Sequence, residues 1–197
     1  MSFRKEKKFK LTKYEFDLLK SNLFNRGMQP LYAQRTINSL YYDTAMLDCF
    51  YHSEEGILPR KKYRIRWYKL ISESSIETKT SSIEGRFKTT DNGSFIAQES
   101  LPKTVFDRAY GALTPSLLVT YEREYFSLEG MRLTFDTSIK YVNYRHSQDV
   151  VWDDEERVME IKVPENIADD FIESVIPYST ARFSKYCRGL LISRGEM

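Results

Sequence analysis

The sequence predicts an α+β fold in which helices pack outside an antiparallel β-sheet or barrel. Predicted strands outnumber predicted helices and follow one another closely along the 197 residues. Several of these strands alternate charged with apolar side chains, and Lys62–Trp67 is the clearest case. Because no repeat, low-complexity tract or Pro/Gly-rich linker divides the chain, we expect a single domain over residues 1–197.

The first predicted elements are a strand and an amphipathic helix. The strand covers about Lys5–Leu11. Thr12 and Glu15 then have the spacing of a capping box, which predicts that a helix begins there, and Gly27 ends it. The apolar side of this helix consists of Phe16, Leu19 and Leu23.

The rest of the chain is predicted from turn signals at Gly, Pro, Asn and Asp residues. Further strands are expected near Thr36–Tyr42, Arg60–Lys69, Ser75–Thr80, Gly85–Thr89, Leu117–Phe126, Met131–Ile139 and Arg157–Val163. Further helices are expected near Ala45–His52, Lys103–Tyr110, Asn166–Ile176 and Arg182–Ser193. The polar stretch Ser72–Ser75 is short enough for a hairpin loop.

Composition limits the classes of function. Thirty basic and 28 acidic residues leave a net charge of +2, so bulk charge does not make this a general polyanion binder, and any anion site is local. Cys49 and Cys187 lack a metal-binding spacing, and the sequence has neither a signal peptide nor an apolar run near 18 residues. We therefore expect a cytoplasmic protein with free thiols and no membrane segment in this chain. A partner protein in a membrane is compatible with these expectations.

The alternation within the strands defines two faces. On a strand, Lys62, Arg64 and Arg66 lie on one face, opposite an apolar and aromatic face. By the same period of two, each of the following sets shares one face of its strand: Glu6 with Lys8, Glu77 with Lys79, Arg132 with Thr134 and Asp136, and Glu160 with Lys162. Two interpretations remain: the charged face meets water, or it lines the inside of a barrel of about eight strands.

Cations on an enclosed face favour a bound anion. Two like charges ~4 Å apart repel by about 4 kcal/mol at an effective dielectric constant near 20, and a polyphosphate would relieve that repulsion. Rows of lysine and arginine at steps of about 6–7 Å suit a linear chain of phosphates. Glu160 suits a divalent metal that bridges phosphate oxygens, and the alternative is an ion pair with a neighbouring cation.

Eight short segments carry a family resemblance that spans nearly the whole chain. They are Glu6–Phe9, Ser39–Thr44, Lys62–Tyr68, Glu77–Lys79, Tyr121–Glu124, Arg132–Thr137, Met159–Lys162 and Phe183–Tyr186. In this order they resemble the VTC domain, the catalytic domain of vacuolar transporter chaperone polyphosphate polymerases in the triphosphate tunnel metalloenzyme superfamily. The resemblance implies an antiparallel β-barrel of about eight strands that forms a basic tunnel.

The resemblance also assigns roles by position. Catalytic side chains would be Arg64, Arg66, Lys79, Arg123, Lys185 and Glu160, of which Glu160 is the metal ligand. Substrate-binding side chains would be Lys8, Lys62, Lys88, Arg132, Lys162, Arg182 and Ser184. Arg182 replaces a lysine that is frequent in the family, and we expect it on the same side of the last helix as Lys185.

Phosphoryl transfer is the activity that the resemblance implies. A nucleoside triphosphate such as ATP would donate its terminal phosphate to inorganic polyphosphate, with manganese or magnesium bound at Glu160. A triphosphatase and a polyphosphate-binding module are the alternatives. Related hydrolases commonly carry two acids in the first strand, where this chain has Glu6 alone. No nucleic-acid role is expected, because Tyr63 and Trp67 lie opposite the cations.

Overall fold

The computed structural model describes residues 4–68, 73–93 and 98–197. Within these ranges the chain forms ten strands and four α-helices. The strands are β1 (Arg4–Leu11), β2 (Gln29–Asp43), β3 (Arg60–Trp67), β4 (Ser74–Ser82), β5 (Gly85–Gly93), β6 (Val105–Asp107), β7 (Gly111–Leu128), β8 (Met131–Asn143), β9 (Ser147–Asp154) and β10 (Arg157–Pro164). The helices are α1 (Lys13–Asn25), α2 (Asp48–Glu55), α3 (Asp169–Val175) and α4 (Lys185–Ser193).

The strands form one hydrogen-bonded sheet. Its order is β1-β10-β8-β7-β2-β3-β4-β5, with β6 paired to β7 and β9 paired to β8. The pairs β1–β10, β10–β8, β2–β3, β3–β4, β4–β5 and β6–β7 are antiparallel. The path of eight strands along the described part of the chain confirms the predicted α+β class with an antiparallel sheet.

The chain divides into two compact units. Unit 1 contains the described residues of 1–35, 121–139 and 154–183, and unit 2 contains those of 36–120, 140–153 and 184–197. Strands β2, β7 and β8 each contribute residues to both units. The expectation of a single domain stays a prediction.

In unit 1, helix α1 covers the apolar face of the sheet. Its start is the predicted capping box: the Glu15 backbone N–H donates to Thr12 Oγ1 at 3.2 Å, and the Thr12 backbone N–H donates to Glu15 Oε2 at 2.8 Å. The Phe16 ring meets the Phe135 ring edge-to-face, with centroids 5.1 Å apart. The core also contains Phe9, Leu19, Leu23, Leu133, Met159 and Ile161. The apolar side of the alternation is therefore covered by a helix, as predicted.

In unit 2, a buried carboxylate fixes the start of α2. Asp43 ends β2 and is 0% exposed. Its oxygens accept hydrogen bonds from the backbone N–H groups of Thr44, Cys49 and Phe50 at 2.8–2.9 Å. These donors include first-turn amides of α2, which lack partners within the helix, so the carboxylate stabilises the helix end. The same residue anchors part of the site described below.

Some predicted elements are wrong or misplaced. The helix predicted at Lys103–Tyr110 is absent: Val105–Asp107 is β6, and Asp107 accepts hydrogen bonds from the backbone N–H groups of Ala109 and Tyr110, which forms a turn. Strand β9 was not predicted. Of the predicted Ser72–Ser75 loop, Ser74 and Ser75 belong to β4, whereas Ser72 lies outside the described residues, as does Lys69.

Candidate functional site

Four side chains on the charged face of the alternating strands are largely buried. Side-chain exposure is 11% for Arg64, 13% for Arg66, 4% for Glu77 and 12% for Arg123. The opposite face of β3 is also buried, with Ile65 0% exposed. A sheet whose charged face simply meets water would leave these groups exposed. The structure therefore contradicts that interpretation for these four side chains, whereas Lys162 and Lys88 on the same face are 38% and 43% exposed.

Three cations of unit 2 converge on one carboxylate, and we call this group the Glu77 cluster. Arg64 donates from Nε and Nη2 to Glu77 Oε2 at 2.7 and 2.5 Å. Lys88 Nζ donates to Glu77 Oε1 at 2.6 Å, and Arg66 Nη1 lies 3.7 Å from the same oxygen. The counter-ion of these predicted phosphate-binding cations is thus a residue of the protein itself.

Glu77 is held in its charged form. Burial raises its pKa, but the positive charges of Arg64 and Arg66 and the hydrogen bonds from Lys88 and Arg64 outweigh burial and lower the pKa to about 2. Arg64 lies opposite Glu77 in the β3–β4 register. The pair therefore follows from strand pairing, which the sequence alone does not show.

Tyr41 also positions Arg64. Arg64 Nη1 donates to the Tyr41 hydroxyl at 2.8 Å, and the Tyr41 ring stacks on Tyr186 with centroids 4.7 Å apart. The Tyr186 hydroxyl donates to the buried carboxylate of Asp43. Burial raises the pKa of Tyr41, but the charges of Arg64, Arg66 and Lys62 lower it to about 8. Tyr41 and Asp43 belong to the segment Ser39–Thr44 and Tyr186 to Phe183–Tyr186, but the resemblance assigned no such role to them.

The predicted lysines of β3, β4 and β5 form a cross-strand row. Lys62 lies opposite Lys79, and Lys79 lies opposite Lys88. Lys62 Nζ donates to Ser184 Oγ at 2.8 Å. Ser184 is the N-cap of α4 and accepts a hydrogen bond from the Cys187 backbone N–H. The side chain of Ser184 therefore joins a helix start to a predicted substrate-binding cation.

The last two predicted cations lie at the start of α4. Lys185 is the first residue of α4 and is half-buried, whereas Arg182 is exposed and precedes the helix. Arg182 therefore does not share a helix side with Lys185. The reason is the cap at Ser184, which starts the helix later than predicted.

Unit 1 holds a second group, which we call the Glu160 cluster. Its charged members are Glu6, Lys8, Arg123, Asp136, Glu160 and Lys162. In the sheet, Lys8 lies opposite Glu160, and Glu6 lies opposite Lys162. Lys162 Nζ is 3.2 Å from Glu160 Oε1 and 3.8 Å from Glu6 Oε2. Opposite charges thus alternate between β1 and β10, which stabilises their pairing.

Glu160 is buried and ionised. Burial raises its pKa, but the positive charges of Arg123, Lys8 and Lys162 outweigh burial and lower the pKa well below its usual range. Arg123 is held by a bidentate contact in which Nε and Nη2 donate to the two Asp136 oxygens at 2.5 and 2.6 Å. The acid expected to bind metal therefore carries its negative charge, and its strongest cation has a fixed orientation.

Arg132 lies beside two aromatic rings, and its backbone is opposite Lys162. Its guanidinium carbon is 5.6 Å from the ring centroids of both Tyr32 and Tyr125. The sequence predicted a phosphate-binding cation on this strand but not its aromatic neighbours.

The fit of a divalent metal depends on Glu160. The described ranges contain no group of three or more His, Cys, Asp and Glu side chains arranged to hold a metal. Magnesium is commonly bound by one or two carboxylates together with substrate phosphates and water. An ionised Glu160 offers one carboxylate to that donor set, although it also forms the ion pair expected as the alternative, with Lys162 Nζ 3.2 Å from Oε1. Phosphate oxygens would therefore have to supply most of the ligands.

Two predictions from composition can be compared with the structure. Cys49 and Cys187 are both buried and form no disulfide, as expected. In the part of the chain that is described, no helix is long and apolar enough to cross a membrane.

The chain matches a known family and resembles several solved structures. The family model of the VTC domain matches residues 3–194. A conserved hypothetical protein from Pyrococcus furiosus is 12% identical with a TM-score of 0.60, covering 94% of this chain and 99% of that one. A Pyrococcus horikoshii protein is 16% identical with a TM-score of 0.56, covering 98% of this chain and 99% of that one.

A third similar structure has a reported activity. It is a putative adenylyl cyclase from Hippeastrum with a dominant triphosphatase activity, 16% identical with a TM-score of 0.54, and the match covers 99% of this chain and 97% of that one. At these identities the structural likeness shows the fold alone. Among curated proteins, none matches this chain in sequence.

Proposed function

Since this chain belongs to the VTC domain family, we propose that it is a polyphosphate polymerase domain. It binds a nucleoside triphosphate, ATP for example, together with inorganic polyphosphate. It transfers the terminal phosphate of the nucleotide to the end of the polyphosphate, and a divalent metal, magnesium or manganese, assists. It acts in the cytoplasm, and a membrane-bound partner protein is compatible with this proposal.

The observation that supports this proposal best is the buried, ionised carboxylate of Glu160 within a set of fixed cations. Lys8, Arg123 and Lys162 each lower the pKa of Glu160. Cations and one retained carboxylate in the same place suit a phosphate chain with a bound metal.

The transfer itself requires positioning and charge stabilisation rather than a nucleophilic side chain. A terminal oxygen of polyphosphate forms a bond to the γ-phosphorus while the bond from that phosphorus to the β–γ bridging oxygen breaks. The nucleoside diphosphate leaves, and the polyphosphate is one unit longer. Arg64 and Arg66 bind phosphate oxygens, and Glu77 and Tyr41 hold Arg64 in orientation before substrate arrives.

In the Glu160 cluster, Lys8, Arg123 and Lys162 offset the charge of the transferred group. A divalent ion, when bound, supplies a Lewis acid that neutralises charge on the phosphate oxygens. Glu160 would hold that ion, and Asp136 keeps Arg123 from rotating through its bidentate contact.

A triphosphatase is the competing function, because a protein of similar fold has that activity. The first strand disfavours it. Glu6 is the single acid of the two that hydrolysing relatives commonly carry there, and its carboxylate lies 3.9 Å from Lys8 Nζ and 3.8 Å from Lys162 Nζ. A polyphosphate-binding module without turnover is the remaining alternative.

A phosphorus NMR time course separates the three functions. The purified chain is incubated with ATP, a short polyphosphate primer and magnesium or manganese. Growth of the internal-phosphate resonance at the expense of ATP is the expected result. Orthophosphate as the sole new product would identify a triphosphatase instead. An unchanged spectrum with broadened nucleotide lines would leave the binding module as the correct description.

A further inference from the structure

An aromatic side chain of unit 1 is exposed beside two arginines. Tyr32 lies in the first part of β2, where Gln29–Thr36 are all exposed, and 49% of Tyr32 is accessible to solvent. Its ring meets the ring of Tyr125 edge-to-face, with centroids 5.7 Å apart and an interplanar angle of 82°. Tyr125 is 5% exposed, so in this pair the Tyr125 ring is buried and the Tyr32 ring is accessible to solvent.

Guanidinium groups flank this pair. The guanidinium carbon of Arg35 is 5.7 Å from the Tyr32 centroid and 5.8 Å from the Tyr125 centroid. That of Arg132 is 5.6 Å from both. These distances are within the range of cation–π attraction, which holds each arginine against the rings. We call Tyr32, Arg35, Tyr125 and Arg132 the Tyr32 platform.

The platform adjoins the Glu160 cluster along the sheet. Arg132 of β8 is opposite Lys162 of β10, and Thr134, two residues further along β8, is opposite Glu160. Two residues of a strand span roughly 6–7 Å. A ligand that begins at the platform therefore meets Arg132 first and then the cations around Glu160.

We propose that the Tyr32 platform binds the base of the nucleoside triphosphate, so that this domain selects nucleotides over inorganic triphosphate. The proposal rests on the proposed function, because it concerns the donor of the same reaction. Nucleobases stack on tyrosine rings and on guanidinium planes, and every base offers such a face. The phosphate chain of a base stacked on Tyr32 extends toward Arg132 and Lys162.

The charge of the platform also favours a nucleotide over a neutral or cationic aromatic ligand. Arg35 and Arg132 place two positive charges beside the exposed ring, and these attract the phosphates that follow the base. Purines have a larger stacking face than pyrimidines, so ATP should bind more tightly than UTP.

Calorimetric titration with ATP and with inorganic tripolyphosphate tests the proposal. In Tyr32→Ala we expect the affinity for ATP to fall on the order of tenfold, because a base–aromatic stack is removed, while the affinity for tripolyphosphate stays unchanged. Tyr32→Trp keeps a stacking face and should keep ATP affinity. Tyr14→Ala is the matched control, since Tyr14 is a 75% exposed tyrosine on α1, and it should bind both ligands like the wild type.

Each other result overturns the proposal in a recognisable way. Equal weakening of ATP and tripolyphosphate in Tyr32→Ala would show that Tyr32 acts through Arg132 and not on a base. Unchanged ATP affinity would show that no base stacks there. If a short oligoadenylate bound more tightly than ATP and lost affinity in the same variant, the platform would be a nucleic-acid surface. Failure of the wild type to bind either triphosphate would refute the proposed function itself.

Discussion

The Glu77 cluster and the Glu160 cluster differ in their balance of charge. In the Glu77 cluster, three cations contact one buried carboxylate: they are Arg64, Arg66 and Lys88. In the Glu160 cluster, three cations are accompanied by three carboxylates: the cations are Lys8, Arg123 and Lys162, and the acids are Glu6, Asp136 and Glu160. The first cluster has positive charge in excess, whereas the second is close to neutral.

Under the proposed function, this difference in charge fits two different roles for the clusters. Excess positive charge with planar guanidinium donors suits the binding of phosphate oxygens alone. A near-neutral group with an ionised acid suits phosphate together with a divalent cation, because the acid supplies the ligand and the cations limit its protonation. The same alternation of charged and apolar residues therefore produces two clusters with a different balance of charge, and the neighbouring strands determine which carboxylates each cluster contains.

The largest expected effect is the loss of turnover in Glu160→Gln. Removal of the charged ligand should lower metal-dependent turnover by at least about 100-fold, which corresponds to about 2.7 kcal/mol or more of transition-state stabilisation. Polyphosphate affinity should be kept or increased, since one negative charge is gone. Phosphorus NMR gives the rate, and calorimetry gives the affinity.

Glu173→Gln is the control for this variant, because Glu173 is exposed on α3 of the same unit. It should leave both quantities unchanged. Turnover at the wild-type rate in Glu160→Gln would show that Glu160 does not bind the metal. The two clusters would then not differ in metal binding.

Glu77→Gln should produce the second largest effect, on stability. The pKa of Glu77 is about 2 in the folded protein against 4.5 as the ordinary value, and this shift corresponds to roughly 3 kcal/mol of unfolding free energy. Because the folded pKa is the lower one, this contribution is complete above about pH 4.5 and is lost as the pH falls toward 2. Urea denaturation should therefore show a large deficit in the variant at pH 7 that narrows at pH 3.

Polyphosphate should restore much of the stability of Glu77→Gln, because it replaces the missing counter-ion of Arg64, Arg66 and Lys88. Glu84→Gln, at an exposed turn position after β4, controls for the loss of a single charge. A deficit that stays constant from pH 7 to pH 3 would show that Glu77 acts through packing and not through its charge.

Arg64→Ala should produce the third largest effect, a loss of polyphosphate affinity. Loss of a charge-assisted contact costs about 1.5–3 kcal/mol, so we expect polyphosphate affinity to fall by about tenfold or more. Arg60→Ala is the matched control on the same strand, because Arg60 Nη1 donates to the backbone oxygens of Gly56 and Ile57 at 3.3 and 3.1 Å. Equal losses in both variants would mean that total charge, and not the Glu77 cluster, governs binding.

The local features of the fold could be predicted from the sequence. The capping box at Thr12 and Glu15 and the two faces of β3 depend on residues a few positions apart, and the structure confirms them. The helix predicted at Lys103–Tyr110 was wrong because Asp107 forms side-chain bonds with the backbone of a turn. Such competition between turn and helix is not visible in hydrophobic spacing.

The site could be predicted less well, because its partners come from other strands. The alternation placed Arg64 and Glu77 on charged faces of their own strands, but their contact depends on the β3–β4 register. The platform shows the same limit: Tyr32 and Arg132 are 100 positions apart in sequence and meet through the folded sheet. Composition and spacing identify candidate residues, whereas register determines which of them interact.

The smallest expected effect comes from Ser184→Ala. This variant tests whether the hydroxyl that caps α4 also contributes to polyphosphate binding in unit 2, the unit of the Glu77 cluster. Ser184 caps α4 and also accepts a hydrogen bond from Lys62 Nζ at 2.8 Å. Thr12 caps α1 and bonds to Glu15. Alanine at either position should lower the unfolding free energy by about 1 kcal/mol, because an N-cap is lost.

The two cap variants should differ in ligand binding. Ser184→Ala leaves Lys62 without the hydroxyl that positions it, so polyphosphate affinity should fall a few-fold, whereas Thr12→Ala should bind like the wild type. Measuring both affinities at equal fractions of folded protein separates the two roles of Ser184. If Ser184→Ala loses stability but no affinity, the hydroxyl acts only as a cap, and Lys62 does not depend on α4 for its position in the cross-strand row of lysines.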